Sequence, residues 1–384
     1  MIAPRTALSI KALIIISYVL YSLPATAQLS AAVRYKLPVS DTSARASSYY
    51  NDADFAENSL PASNHMSKDE ASREESMEAQ LDTKVGRTRL MGYLKEISAN
   101  NSQVNYNEAK VKIYYRLANV FARLRLYPLA MKCFFKTMAN SNNQPADSKN
   151  TIPADTAERD VTVNPGYLSI NTTDDSVFVN DPTPPNKKAK KSKAITYQRI
   201  VNTFNDGKKA VAYALLFHVK QPVPGKPKVF VWANTGHTFI TLIKYNSDSS
   251  SVSISFGFYP KKDNLFSATP WDPTCTGTFK NDNAHEWDEV VGKFISARKF
   301  NRILKLTKDY DGLEYQLSKN NCTDFAIKAA SYAGFGITNT AGSWPLGHGN
   351  TPAITGQSII QGGVYDAHNQ RDLFINYEES LNRK

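Results

Sequence analysis

The chain has 384 residues, which is enough for a hydrophobic core and for more than one domain. Its formal charge of +11 would suit a nucleic-acid-binding protein, but the secretory signal described next argues against that class, because exported proteins rarely meet nucleic acid. We therefore expect no nucleic-acid partner, and the excess positive charge suits an anionic cell-envelope surface or serves solubility. Hydrophobic residues make up 41% of the chain, a low fraction that predicts disordered stretches.

The N-terminus predicts a cleaved secretory signal over residues 1–27. Arg5 and Lys11 precede the apolar run ALIIISYVLYSL, and the small-x-small motif ATA follows at residues 25–27. The run is shorter than the ~20 apolar residues that a spanning helix needs, and no later segment reaches that length. We expect a secreted or periplasmic protein without a transmembrane segment after signal removal.

Two segments of opposite character follow. Residues 28–80 are polar and without a period, which predicts disorder. Residues 81–140 carry apolar residues at helical spacing, with a break at Leu126–Pro128 that suits the start of a second helix. The pattern resembles one tetratricopeptide repeat, and a helical hairpin packed on a neighbour is the alternative; either could bind a protein partner. The residues that carry the resemblance are Leu117, Ala118, Phe121, Tyr127, Ala130 and Phe134.

The second half of the chain begins with a Pro/Lys-rich linker over residues 141–195, ending in DPTPPNKKAKKSK. This basic run is either a solvated tether or a patch that docks on an anionic surface. Residues 196–384 then mix strand-like pairs with helices, which predicts an α+β domain. Within it, HEWDEVVGKFISARKFNRILKLTK predicts a helix followed by a strand, and the C-terminus reads as a Gly/Pro-rich tail.

Of the three cysteines, Cys322 has the setting of a nucleophile. It opens the run CTDFAIKAASYAGFG, in which Phe325 and Ala329, then Ala326 and Ala330, would bury one face of a short helix. Unpaired N–H groups and the helix dipole at a helix start favour a thiolate, and the same N–H groups would stabilise an oxyanion. Cys133 and Cys275 have no comparable setting.

A thiolate nucleophile generally needs a base, and His237 is the best-mounted histidine. It begins the predicted strand in NTGHTFITL, where the preceding glycine permits close backbone approach and the strand provides rigidity. His348 is the second choice. The remaining histidines lie in less suitable positions: His65 in the disordered segment, His218 in an apolar run, His285 at a predicted helix start, His348 in a glycine loop and His368 in the tail.

The motifs GHTFITL and, far downstream, NNCTDFAIKAASYAG resemble the circularly permuted branch of the NlpC/P60 papain-like superfamily. That branch includes lecithin:retinol acyltransferase-like and YiiX-like proteins, and in it the histidine strand precedes the cysteine helix. The resemblance covers residues 196–362. It implies a small antiparallel sheet packed on the cysteine helix. It also implies thioester chemistry on an amide or ester bond, with a cell-envelope peptide or lipid as substrate and no cofactor or metal.

The resemblance also implies a third polar residue that orients the histidine from the neighbouring strand. That strand is SVSISFGFYP, which offers Tyr259 and Ser255 but no His, Asp, Asn or Gln. We expect Tyr259 to take this role, although a one-residue shift in register would turn every side chain to the other face.

Two further interpretations stay open at this stage. Without a usual orienting residue, the domain could be an inactive hydrolase that acts as a binding module in the envelope. Alternatively, Cys322 could be structural, bridged to Cys275 in the oxidising compartment.

Overall fold

The computed structural model describes residues 83–99, 107–141, 151–152, 161–162, 168–170, 192–231, 234–261, 268–269, 272–344 and 347–377. The predicted signal, the predicted disordered segment and the basic run of the predicted linker, except for its last two residues Ser192 and Lys193, lie outside the described residues. All the described residues belong to one compact unit.

Three helices come first in the described chain. They are α1 (Lys84–Ala99), α2 (Asn107–Arg123) and α3 (Tyr127–Ser141). The predicted break between two helices is confirmed, with Pro128 in the first turn of α3. The six residues of the tetratricopeptide-like pattern are all buried, together with Cys133. They pack against strands of the sheet in one apolar cluster, and both helices are buried around most of their circumference, since residues 117–122 of α2 and 129–135 of α3 are all buried.

The rest of the described chain is mainly strands, with four further helices. The strands are β1 (Thr151–Ile152), β2 (Val161–Thr162), β3 (Ala194–Ile195), β4 (Ala210–Lys220), β5 (His237–Asn246), β6 (Ser251–Pro260), β7 (Thr274–Asn281), β8 (Glu289–Ile295), β9 (Glu314–Gln316), β10 (Phe335–Ile337), β11 (Ala341–Trp344), β12 (Gly347–Asn350), β13 (Val364–Asp366) and β14 (Leu373–Tyr377). The helices are α4 (Tyr197–Phe204), α5 (Ala297–Tyr310), α6 (Cys322–Ala333) and α7 (Pro352–Ile360), with a 3-10 turn at Gln370–Asp372.

One antiparallel sheet organises the fold. Its strand order is β14-β8-β4-β5-β6-β7-β3, and β9 also pairs with β7. The predicted α+β class is therefore confirmed, and the sheet, with eight strands, is larger than the small sheet expected. Three two-stranded pairs, β1-β2, β10-β13 and β11-β12, stand apart from it.

The sheet is covered on both faces, which the alternation along β5 makes plain. Phe239 and Ile243 point into the cluster shared with α1, α2 and α3. Ile240 and Leu242, on the opposite face, point into the cluster shared with α5 and α6. Successive side chains of a strand alternate between faces, so one strand serves both cores. The helical region and the cysteine helix thus lie on opposite sides of the same sheet.

Two sequence predictions were wrong in this half. The segment predicted as helix then strand is strand β8 followed by helix α5. Both faces of β8 are buried, so apolar residues lie on both faces and do not alternate with polar ones as in a half-exposed strand. Ser296 then starts α5 by accepting a hydrogen bond from the Lys299 amide. The Gly/Pro-rich tail, in turn, contains α7 and five short strands.

Among the residues that the structure describes, no helix has the length and apolar character needed to cross a bilayer.

Candidate active site

Cys322 is the first residue of α6, and the preceding residue fixes the start of that helix. The Asn321 side chain accepts hydrogen bonds from the amides of Thr323 and Asp324, and the Asp324 carboxylate accepts from the Asn321 amide. This reciprocal capping box satisfies amides that the first turn leaves without partners. Gly334 ends the helix in the left-handed region, at φ 91°. The thiol is therefore held at a fixed point beside the sheet, with 6% of the residue exposed.

His237 is the first residue of β5, opposite Lys220 of β4. The chain enters the strand through Gly236, which has φ +73° and lies against the Lys220 carbonyl and the Pro222 ring. Any side chain at this position would be strained and would meet that backbone, so glycine is required there. The rigid mounting and close approach predicted for His237 are both present.

The Cys322 thiol and the His237 imidazole are neighbours in the structure, and each shifts the pKa of the other. The Nε2 atom of His237 lies 3.1 Å from Oδ2 of Asp282, which leaves Nδ1 as the ring nitrogen for the thiol. Thiol, imidazole and carboxylate therefore lie in sequence, with the His237 ring between the other two groups, and all three residues are buried.

Asp282 corrects the prediction of Tyr259 or Ser255 as the orienting residue. It follows β7, and its amide donates to the Ser255 carbonyl across the sheet. The Tyr259 hydroxyl donates to Oδ1 of Asp282 at 2.7 Å, so Tyr259 touches the carboxylate and stacks beside the His237 ring without bonding to its nitrogen. The Ser255 hydroxyl instead bonds Thr241.

Asp282 was not predicted, because only the strand β6 was considered as the source of the residue that orients His237. The segment TCTGTFKN was not predicted as a strand, although threonine, a β-branched residue, occupies every second position from 274 to 278, and Asp282 comes directly after the segment. An acidic residue at the end of the next strand is the signal that was available.

Gly257 gives the imidazole its space. A Cβ atom placed on Gly257 would lie 2.5 Å from Nε2 of His237 and 2.8 Å from Oδ2 of Asp282. Both distances are shorter than van der Waals contact, so only glycine allows the ring and the carboxylate to meet over this strand.

Electrostatics in the site favour a thiolate next to an imidazolium. Burial lowers the pKa of His237, but the Asp282 carboxylate and the Cys322 thiol outweigh it and raise that pKa to about 9. Burial raises the pKa of the Cys322 thiol, but His237 outweighs this and lowers it below its ordinary value. A nearby opposite charge stabilises each charged form, which favours the state with the proton on the ring.

Two further groups surround the sulfur. The Thr238 backbone N–H lies near the thiol and favours its ionised form, and the Tyr315 hydroxyl also lies near the Cys322 thiol and backbone. Burial and the neighbouring thiolate raise the pKa of Tyr315, which keeps its hydroxyl protonated as a donor. Tyr315 was not predicted, and its position seven residues before the cysteine carried no signal by itself.

The other histidines are not part of the group formed by the Cys322 thiol, the His237 ring and the Asp282 carboxylate. His285 lies in a turn, not at a helix start, and its ring centroid is 5.0 Å from that of His237. His218 is fully buried on β4, as its apolar surroundings suggested. His348, the second choice for the base, is on strand β12 opposite Ser343 and exposed, not in a loop. His368 is exposed, and His65 lies outside the described residues.

All three cysteines are free thiols, so the interpretation of a bridge between Cys322 and Cys275 was wrong. Within the described part of the chain, no group of three or more His, Cys, Asp or Glu side chains is arranged to hold a metal ion.

Searches of protein-family models, of curated proteins and of solved structures found no match to this chain. Inference about function therefore starts from the geometry of the site.

Proposed function

We propose that the protein is a secreted cysteine hydrolase or acyltransferase that cleaves an amide or ester bond through a thioester on Cys322. The observation that carries this proposal is the buried chain from the Cys322 thiol through His237 to Asp282. A nucleophile, a base in contact with it and a third group that orients the base are the parts that covalent catalysis requires.

The geometry supports a two-step reaction. The Cys322 thiolate attacks the substrate carbonyl carbon and forms a C–S bond, while the carbonyl electrons move to oxygen. We propose that the N–H groups at the start of α6, together with the neighbouring Tyr315 hydroxyl, donate to that oxyanion. As the oxyanion collapses, the C–N or C–O bond breaks and His237 gives its proton to the leaving group.

The second step returns the enzyme to its starting state. His237, now neutral, takes a proton from water in a hydrolase or from an acceptor hydroxyl or amine in a transferase. The resulting oxygen or nitrogen nucleophile attacks the thioester, and the C–S bond breaks to restore the thiolate beside the imidazolium. Throughout, Asp282 holds the ring in one orientation through its Oδ2 atom.

The fold supports a permuted papain-like domain as the scaffold. The histidine strand β5 precedes the cysteine helix α6 in the chain, and α6 packs on an antiparallel sheet. The absence of an orienting residue on β6 was the sequence argument for an inactive binding module. Asp282 removes that argument, so we favour the enzyme.

Alkylation of the thiol tests the activated nucleophile. We expect iodoacetamide to modify Cys322 at and below neutral pH, measured by mass spectrometry of the peptide that contains it, and His237→Ala to move the reaction to alkaline pH. Cys133, which is fully buried outside the site, serves as the internal control for unfolding. Labelling of wild-type Cys322 only at alkaline pH would contradict the proposal.

Substrate class needs a separate experiment. Peptidoglycan fragments and phospholipid vesicles are incubated with the protein in parallel, and products are identified by mass spectrometry. We expect product from one of the two, lost in Cys322→Ser. Product that persists in Cys322→Ser would show that the thiol is not the nucleophile.

A further inference from the structure

Ser192 reaches the active site from the end of the segment predicted to be a linker. It is half-buried and lies two residues before β3. Its hydroxyl donates to Oδ1 of Asp282 at 2.8 Å. The Tyr259 hydroxyl donates to the same oxygen at 2.7 Å. Two hydroxyls therefore hold Oδ1, and Oδ2 is left for His237.

Main-chain pairing fixes Ser192 in this place. The carbonyl of the next residue, Lys193, accepts a hydrogen bond of 2.8 Å from the Asn281 amide, directly before Asp282. Strand β3 then pairs antiparallel with the end of β7, and Thr196 caps α4. None of these bonds uses the Ser192 side chain, so removal of its hydroxyl leaves the edge strand intact.

We propose that Ser192 is a positioning residue of the active site, acting with Tyr259 to fix the rotation of the Asp282 carboxylate. The terminal torsion of an aspartate is broad, so a carboxylate without donors can turn both oxygens away from its partner. Two donors on Oδ1 fix the plane of the group and keep Oδ2 against Nε2 of His237. The end of the linker in this way positions the carboxylate that orients His237.

The catalytic consequence rests on the proposed function, but the contact itself can be tested without a substrate. The probe is iodoacetamide, and the measurement is the rate of Cys322 alkylation against pH in the full chain. The variants are Ser192→Ala, Tyr259→Phe, both together, and Ser192→Thr, which keeps the hydroxyl. Ser331→Ala is the matched control, because Ser331 is exposed on α6 near the end of the helix farthest from Cys322.

We expect each single loss of a hydroxyl to slow alkylation at pH 7 by about three- to tenfold and to raise the apparent pKa of the thiol. The double variant should lose more than the product of the two single effects, because in each single variant the other hydroxyl still holds Oδ1. Ser192→Thr and Ser331→Ala should stay within about twofold of the wild type. Thermal unfolding of each variant checks that the fold is retained.

An unchanged alkylation profile in Ser192→Ala, both alone and in the Tyr259→Phe background, would overturn the proposal. The same shift in Ser331→Ala would overturn it too. If the alkylation profile shifts in the variants that lose the Ser192 hydroxyl, but no substrate is turned over by the wild type, the positioning role is supported and the catalytic function is rejected. Measurable turnover with an unshifted profile rejects the role of Ser192 and keeps the enzyme.

Discussion

His218 and His237 lie on either side of the same phenylalanine, and their chemistry is opposite. Both are buried on neighbouring strands, and both stack on Phe239, with ring planes inclined by 9° and 10°. His237 bonds the Asp282 carboxylate, whereas the Nε2 atom of His218 bonds the Thr241 hydroxyl at 2.8 Å. The pKa of His237 rises to about 9, while burial and the charge of His285 lower the pKa of His218 well below its usual value.

The comparison separates the effect of burial from the effect of the partner. Burial alone disfavours the charged imidazole, and His218 shows that effect with only a neutral hydroxyl as its partner. A carboxylate and a thiol reverse the direction at His237. A buried histidine becomes a base for the thiol only when the fold also places a buried acid behind it.

The largest effect should come from Asp282→Asn, which would make the partner of His237 neutral like that of His218. Without the carboxylate the pKa of His237 falls and that of the Cys322 thiol rises, so less thiolate is present at neutral pH. We expect product formation to fall on the order of a hundredfold or more, with the alkylation profile moved to higher pH.

The matched control is Asp372→Asn, which also alters a buried aspartate. Burial raises the pKa of Asp372 to about 6, so its charge is already disfavoured, and an amide can keep the bond to Asn369. Reactivity of Cys322 should be unchanged. Equal losses in the two variants would show that the effect of Asp282→Asn is general destabilisation.

Gly257→Ala should have the next largest effect, because it separates His237 from its acid without removing either group. The new Cβ would occupy the space where Nε2 and Oδ2 now meet. Displacement of the ring by about 1 Å should lower turnover on the order of ten- to a hundredfold, measured with the alkylation profile. Gly92→Ala on α1 is the control, since no atom lies within 4 Å of its new Cβ. A wild-type profile in Gly257→Ala would mean that the contact with Asp282 is not required.

The smallest effect should come from His218→Phe, which keeps a ring in the stack and leaves the Thr241 hydroxyl bonded to Ser255. Because the folded pKa of His218 lies below its unfolded value of ~6.5, the neutral ring contributes stability that is fully present above pH 6.5 and is lost as the pH falls below it. We expect little change in unfolding free energy at pH 7.5, and at pH 5 a gain for the variant over the wild type of up to about 2 kcal/mol.

Urea unfolding at the two pH values measures this, with Cys322 alkylation as the second readout. The alkylation profile should not move, since His218 does not contact the thiol or its base. If the difference in unfolding free energy between His218→Phe and the wild type is the same at both pH values, the assigned protonation state of His218 is contradicted.

Several features of the site could be predicted from local sequence. An asparagine before Cys322 and apolar residues at helical spacing after it indicate a helix start, and the structure has α6 begin at that residue. A glycine followed by the apolar run HTFITL indicates a strand with His237 at its beginning. Both signals depend on residues within one turn of helix or one strand, which is why they could be read without the fold.

The acid and its supports could not be predicted in this way. Asp282 reaches His237 because β7 pairs beside β6, and Ser192 reaches Asp282 because β3 pairs beside β7. Tyr315 meets the thiol through the pairing of β9 with β7. Each contact depends on strand order and register, which nonlocal hydrogen bonds and two-sided packing decide. The order of strand β8 and helix α5 was misjudged for a related reason, since burial on both faces removes the alternation that identifies a strand.

The sequence by itself determined where the Cys322 thiol and the His237 imidazole would be mounted, because helix caps and strand starts are local properties of the chain. The tertiary structure alone decided the electrostatic surroundings of these groups, and through them their pKa values. By placing Asp282 behind one buried histidine and a threonine hydroxyl beside the other, the strand order gives His237 a raised pKa and His218 a lowered one. Charge–charge interactions act through space and are strongest where water is excluded, so no pattern along the chain determines them.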